Sequence, residues 1–298
     1  MATHQTAKTL NVSSDTITFA YRRFGTPDGV PLLFLIHFRG TMDKWDPLLV
    51  NSIAKTRPVI LVDYAGIGQS TGRVAASFRE SAGDIACFLS LIGVNEVDIL
   101  GFSIGAFVAQ LIALNTKREV LKVRNLIICG SSASVGPEMP ETYNDYTTAA
   151  TAKDLTVDEF KALFFPRNEV GEEACEKWWS RLKERNEETS GEAPTNWASQ
   201  GFEDGGIAMQ AQGTAYAAFQ DPEKSRGLDG SYDRLRELHV PVLVAQGSDD
   251  YMFPTINSFH FQQKVPNGQL IIYPNSGHGF LYQYAQKFAD HVNSFLST

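Results

Sequence analysis

The part of this chain that most restricts its fold is residues 97–114, VDILGFSIGAFVAQLIAL. An apolar run short enough for one strand stops at Gly101, and apolar residues at helical spacing resume after Gly105, so the two elements must meet within a few residues. Ser103 is the middle residue of that turn, in GFSIG. A strand-to-helix turn this sharp brings two backbone segments together, and glycines flanking a serine are what such closeness tolerates. The hydroxyl is then held out at the end of a strand, in the arrangement called a nucleophile elbow.

The surrounding chain repeats the same rhythm. Apolar runs of strand length at 31–38 (PLLFLIHF), 59–62, 97–100, 124–129, 242–245 and 269–273 alternate with helical periodicity at 44–54, 78–91, after Ser103, at 255–265 and at 280–295. Uninterrupted apolar runs suit strands covered on both faces. Strands alternating with helices of this length imply right-handed crossovers, so the expected class is α/β, a mostly parallel, doubly wound sheet. Segments 9–12 and 17–24, joined by a turn, predict an antiparallel hairpin at the sheet edge. Between residues 133 and 229 the strand rhythm stops and charged helical sequence such as EEACEKWWSRLKERNEE replaces it. This predicts a core of residues 1–132 and 230–298 carrying an inserted helical cap, 133–229. The cap is rich in large apolar groups, Tyr143, Phe164, Phe165, Trp178, Trp179 and Trp197 among them. Some of these are expected to line a pocket facing Ser103, which favours an apolar or aromatic acyl substrate.

Several other chemistries find no support. A net charge of −8 without a long basic stretch argues against nucleic acid or an anionic membrane as partner. The three cysteines, Cys87, Cys129 and Cys175, are far apart and form no C-x-x-C, so neither a disulfide framework nor a zinc site is expected. The run GIGQSTG at 66–72 lacks both the G-x-G-x-x-G spacing and a Walker lysine, and no H-E-x-x-H occurs, so no cofactor or metal is expected. No leader-like segment or apolar stretch of membrane-spanning length is seen, and a cytoplasmic location is the expectation. The oligomeric state is left open.

A serine hydroxyl is a weak nucleophile until a base takes its proton, and that base is usually a histidine oriented by a carboxylate. Candidates for both follow later strands: Asp249 and Asp250 in GSDDYMFP, and His278 in NSGHGF. In an open parallel sheet such residues gather at the carboxyl ends of the strands, together with Ser103. His37 closes the first buried run and reads as a packed histidine or a wall of the site. Asp63 reads as the cap of a glycine turn.

Taken together, GFSIG, GSDDYMFP, SGHGF and DYAGIGQSTG resemble the α/β-hydrolase superfamily over nearly the whole chain. The family pattern G-x-x-D-x-x-x-P selects Asp250, with Pro254, over Asp249. The loop IHFRGTMDKWDP departs from the usual His-Gly-x and resembles a subgroup carrying HFxGxxDxWDP. Counting back from Trp45 puts His37 where glycine is usual and Phe38 at the oxyanion-donor position. The resemblance thus implies a catalytic set of Ser103, Asp250 and His278, with the backbone N–H groups of Ile104 and Phe38 as oxyanion donors and Arg39 as the alternative to Phe38. His37, Arg39, Trp178, Trp179 and Phe280 are the candidate pocket residues. The implied activity is hydrolysis of an ester, thioester or lactone of a small apolar molecule. Look-alike families use the same set for perhydrolysis with haloperoxidase activity or for carbon–carbon bond hydrolysis. Dehalogenase and epoxide hydrolase chemistry is disfavoured, because those look-alikes place an aspartate at the elbow. A small-molecule receptor on the same fold is the reading from another class.

Overall fold

The structure, a computed structural model, describes residues 1–140 and 146–297, so Tyr143 lies outside the described residues. Eight strands form one sheet: β1 (Leu10–Ser13), β2 (Thr18–Gly25), β3 (Leu32–Leu35), β4 (Pro58–Val62), β5 (Glu96–Phe102), β6 (Lys122–Cys129), β7 (Val242–Gly247) and β8 (Gly268–Tyr273). Their order is β1-β2-β4-β3-β5-β6-β7-β8. The β1–β2 hairpin pairs antiparallel onto β4, and every later pairing is parallel. Every residue of β3, β4 and β7 is buried, as a strand covered on both faces requires.

The covering helices of the core are α1 (Pro47–Ala54), α2 (Phe78–Leu91) and α3 (Ile104–Asn115) before the long insertion. Within the insertion lie α4 (Thr147–Ala150), α5 (Val157–Phe164), α6 (Glu169–Leu182), α7 (Glu187–Ser190) and α8 (Ile207–Phe219). Then α9 (Thr255–Lys264), α10 (Phe280–Gln283) and α11 (Ala285–Leu296) complete the core. No described residue between β6 and β7 is in a strand. No helix among the described residues is long and apolar enough to cross a membrane.

Two elements differ from the periodicity reading. The helix expected over 44–54 begins only at Pro47, because Met42–Lys44 forms a 3-10 turn and Asp46 caps the helix by accepting the Leu48 N–H at 2.9 Å. The helix expected over 280–295 is divided at Tyr284, whose backbone (φ −107°, ψ 35°) leaves the helical region.

The elbow depends on close packing of β5, α3 and β3. A Cβ on Gly105 would sit 2.1 Å from the Leu35 carbonyl oxygen, so only glycine lets α3 start against the end of β3. Ser103 itself has φ 58° and ψ −124°. Such a backbone costs about 1–3 kcal/mol and must be held by its surroundings. Its N–H donates to the Cys129 carbonyl at 2.9 Å, and its own carbonyl accepts from Ala106 N–H and from the Ser131 hydroxyl, both at 3.0 Å.

Candidate active site

Ser103 leaves the carboxyl end of β5, Asp250 follows β7 and His278 follows β8, so sheet order alone carries all three to one edge. All are buried, at 2 %, 4 % and 0 % exposure. Asp250 is fixed by its own loop: one carboxylate oxygen accepts the N–H groups of Met252 (2.7 Å) and Phe253 (2.9 Å), and the other meets His278 Nδ1 at 2.8 Å. A carboxylate can only accept, so Nδ1 carries the proton and Nε2 of a neutral ring keeps its lone pair. That Nε2 is buried without a hydrogen-bond partner among the described residues. Asp249 is exposed and bonds its neighbour Ser248 at 2.7 Å.

The imidazole of His278 is wedged among Phe102, Phe164 and Phe253, with ring centroids 4.8, 5.1 and 5.6 Å away. Phe164 reaches it from the insertion, and its carbonyl accepts the Gly279 N–H at 2.6 Å. A Cβ at Gly277 would stand 2.8 Å from that same carbonyl, which accounts for glycine beside the histidine.

Two cavities border Ser103. The larger, about 290 Å³, is lined by Phe38, Ser103, Ile104, Ala150, Met252 and Phe253, and also by Tyr146, Thr147, Thr151, Gly213 and Tyr216. No charged residue lines it among the described residues. The smaller chamber, about 20 Å³, is bounded by His37, Phe38, Ser103, Ala150, Leu155 and Met252 and by Phe160, Leu163 and Phe164 of α5. Phe38 and Ile104 therefore both stand at the larger cavity, and no hydrogen bond to a described residue engages their N–H groups. The N–H of Arg39, by contrast, is taken by Gln212 Oε1 at 2.8 Å.

Arg39 borders neither cavity. Its side chain, fully buried, donates from Nε to the Ala198 carbonyl (2.7 Å), from Nη1 to those of Ala150 (3.3 Å) and Ala152 (2.7 Å), and from Nη2 to that of Ser199 (3.0 Å). With every guanidinium nitrogen engaged by backbone of the insertion, it fastens the loop after β3 to the helical segment. Trp178, Trp179 and Phe280 also lie away from both cavities. Trp178 is fully buried and stacks on Tyr282 at 4.9 Å, Trp179 stacks on Trp197 at 6.3 Å, and Phe280 packs on Tyr273 at 5.0 Å inside the core. Of the five expected pocket residues, His37 alone borders a cavity with Ser103. Met252, Phe253 and Ala150 line the larger cavity without having been singled out. The first two could have been found, since a carboxylate loop that closes on its own N–H groups must carry its next residues to the same place.

The loop after β3 makes three more attachments to the insertion. The Thr41 and Thr195 hydroxyls are 2.8 Å apart, Arg181 Nε donates to Asp46 Oδ1 at 2.8 Å, and Asp43 Oδ2 accepts from the Thr195 N–H (2.8 Å) and hydroxyl (2.9 Å). Asp43 Oδ1 also accepts from Arg22 Nη1 at 2.6 Å, with Arg185 Nε a further 3.0 Å charge contact too poorly aligned for a hydrogen bond. Burial would raise the Asp43 pKa, but the Arg22 charge and hydrogen bond, with those of Thr195, hold it down at about 2. Asp63 caps its turn through the Gln69 N–H at 2.9 Å and reaches across to the Met42 N–H at 2.7 Å, tying the same loop to the end of β4.

His37 is held neutral: burial, opposed by its bond to the Phe38 carbonyl, pushes its pKa down to about 3. The unfolded ring titrates near 6.5 and takes up a proton that the folded ring refuses. Its share of stability is therefore complete above pH ~6.5 and is lost as pH falls from there toward about 3. Asp63, which burial pushes up to about 6, has the opposite slope over part of that range, so a comparison with a variant is needed. In urea unfolding between pH 6.5 and 4, His37→Gln is expected to shallow the decline in stability by about 1.4 kcal/mol per pH unit. Parallel curves for variant and parent would contradict a neutral buried ring.

The alpha/beta hydrolase fold family model matches residues 31–285, which takes in strands β3 to β8 and the whole stretch between β6 and β7. The chain is an α/β-hydrolase. Relatives extend over similar lengths. A 2-hydroxymuconate semialdehyde hydrolase of Pseudomonas putida is 26% identical over 283 residues, covering 91% of this chain and 88% of that one. A bifunctional esterase/perhydrolase of Acinetobacter calcoaceticus is 25% identical over 271 residues, covering 90% and 91%. Among solved structures, an alpha/beta hydrolase fold protein from Chitinophaga pinensis superposes with a TM-score of 0.84 at 29% identity, each chain covered completely. With enzymes of these kinds as its relatives, this α/β-hydrolase is itself an enzyme.

Proposed function

We propose that this α/β-hydrolase cleaves an ester, thioester or lactone of a small apolar molecule through an acyl-enzyme on Ser103. His278 Nε2 takes the hydroxyl proton as Oγ attacks the carbonyl carbon, and Asp250 holds the ring in the tautomer that leaves Nε2 free. The N–H groups of Ile104 and Phe38 receive the developing oxyanion, each donor contributing on the order of 10²-fold in rate. The acyl group then passes to water, with the same imidazole as base. Residues 133–229 act as the cap, supplying Ala150, Thr147, Thr151 and Tyr216 to the cavity wall.

The observation that carries this reading is the buried imidazole of His278, bonded at Nδ1 to Asp250 and without a partner at Nε2 among the described residues, at the same sheet edge as a serine that opens onto a cavity. The uncharged lining among the described residues supports an apolar acyl group, since a carboxylate entering there would lose hydration and meet no cation among those residues to replace it. A volume near 290 Å³ suits a compact substrate.

Intact-mass measurement after treatment with an aryl phosphonofluoridate is expected to show one adduct, mapped by peptide digestion to Ser103. A panel of p-nitrophenyl esters, lactones and vinylogous diketones then sorts the acyl chemistry. Short uncharged esters or lactones are expected to give the highest kcat/KM. Absence of an adduct at Ser103 in folded protein, or a preference for the diketone over every ester, would defeat this reading.

A further inference from the structure

His37 lies in the loop after β3, and its side chain is 2 % exposed, packed against Phe102 and Phe164 at ring centroids of 5.4 and 5.0 Å. Its Nδ1 lies 2.9 Å from the Phe38 carbonyl oxygen, an atom that can only accept, so Nδ1 bears the hydrogen and Nε2 the lone pair. Nε2 is buried with no hydrogen-bond partner among the described residues. A buried acceptor left unmet costs on the order of 1–3 kcal/mol unless a small donor joins it. The ring forms a wall of the chamber of about 20 Å³ that Ser103 also borders, and whose other walls among the described residues are apolar, from Leu155, Phe160, Leu163, Phe164 and Met252 with Phe38 and Ala150. Space of about 10–15 Å³ on this measure accommodates one water.

We propose that His37 Nε2 is the acceptor of a one-water site beside Ser103, and that it positions the water that resolves the acyl-enzyme. This rests on the acyl-enzyme reading above. The water gives one O–H to His37 Nε2 and the other to His278 Nε2, leaving an oxygen lone pair for the acyl carbon. As the oxygen bonds to that carbon, His278 takes the second proton. The tetrahedral adduct then collapses, the bond from the acyl carbon to Oγ breaks, and Oγ receives the proton from His278. The products are the free carboxylic acid and the regenerated serine, and His37 neither gains nor loses a proton. It is thus a positioning residue, and its held neutrality follows from its burial.

The test is partitioning of the acyl-enzyme from p-nitrophenyl acetate between water and added methanol, with rapid-mixing measurement of p-nitrophenol release. His37→Phe fills the same space without an acceptor, and His37→Gln restores one. For His37→Phe, the acylation phase is expected to stay within roughly threefold of the parent, while hydrolysis of the acyl-enzyme falls roughly tenfold, the worth of one good hydrogen bond. The ratio of methyl acetate to acetate should rise accordingly, and His37→Gln should recover most of the loss. Equal partitioning in His37→Phe and parent overturns the proposal, as does a common fall of acylation and hydrolysis, which marks a packing role. Failure of Ser103 to acquire an acyl group in the parent would instead overturn the acyl-enzyme reading itself. Hydrogen peroxide in place of methanol distinguishes the two sources of hydroxylic donor: selective loss of the water reaction in His37→Phe supports a water site, whereas selective loss of peracid formation contradicts it.

Discussion

A Ser103→Ala variant is expected to fold as the parent does and to lose turnover by roughly 10³- to 10⁶-fold. The backbone at residue 103 is strained at φ 58°, and alanine carries the same penalty as serine there, so folding stability should change little. What disappears is the atom to which the proposed mechanism attaches the acyl group, while Ile104 and Phe38, the proposed oxyanion donors, still line the cavity. His278→Ala should cost a comparable factor, and the double variant should lose no more than the worse single one, because nucleophile and base act in one step. The measurements are kcat/KM on the preferred ester and the thermal midpoint. A folded Ser103→Ala protein retaining a tenth of parental kcat/KM would remove Ser103 from the mechanism.

Asp43→Ala is expected to destabilise the protein by about 3–5 kcal/mol, the usual cost of removing one partner from a buried ion pair. Arg22 and Arg185 are each 1 % exposed at the side chain and both approach Asp43 Oδ1, so the substitution leaves buried positive charge facing an empty space. Arg185 retains Glu192 at 2.7 Å, whereas among the described residues Arg22 retains a single hydrogen bond, 3.2 Å to the Thr9 hydroxyl. Adding Arg22→Met to Asp43→Ala should therefore recover part of the loss, since an uncharged side chain of similar length needs no partner. Urea unfolding measures both effects. A loss below about 1 kcal/mol for the single variant would mean that the cluster is hydrated or rearranged.

Much of the sheet and the elbow is legible in the sequence because the signals are local. The change from a strand-length apolar run to helical spacing across GFSIG occurs within five residues, and the demand for glycine at 105 follows from a contact with the very next strand in the sheet. The choice of Asp250 over Asp249 depended on a family pattern, although a physical reason exists: only the residue two and three before Met252 and Phe253 can receive both their N–H groups. Arg39 was not legible as a fastener. Its partners are carbonyl oxygens at 150, 152, 198 and 199, more than a hundred residues away, and a backbone carbonyl leaves no mark in the sequence. The aromatic residues of the insertion were ambiguous for another reason. Lining a cavity and filling a core both require large apolar groups, and whether Trp178 meets substrate or Tyr282 is decided by packing that no spacing encodes.

The loop from His37 to Pro47 carries an oxyanion-donor candidate at one end and, within the next eight residues, the attachments of Arg39, Thr41, Asp43 and Asp46 to the helical insertion. In evolutionary terms this loop and the helical insertion are tied together in this chain. A recombination event that exchanged the stretch between β6 and β7 for another would leave four anchoring side chains without their receptors and the buried Asp46 carboxylate without Arg181. Single side-chain substitutions on α4 and α8 remain open to such a chain, because Ala150 and Tyr216 line the cavity and Ala150 meets Arg39 only through its backbone carbonyl, which a change of side chain leaves in place.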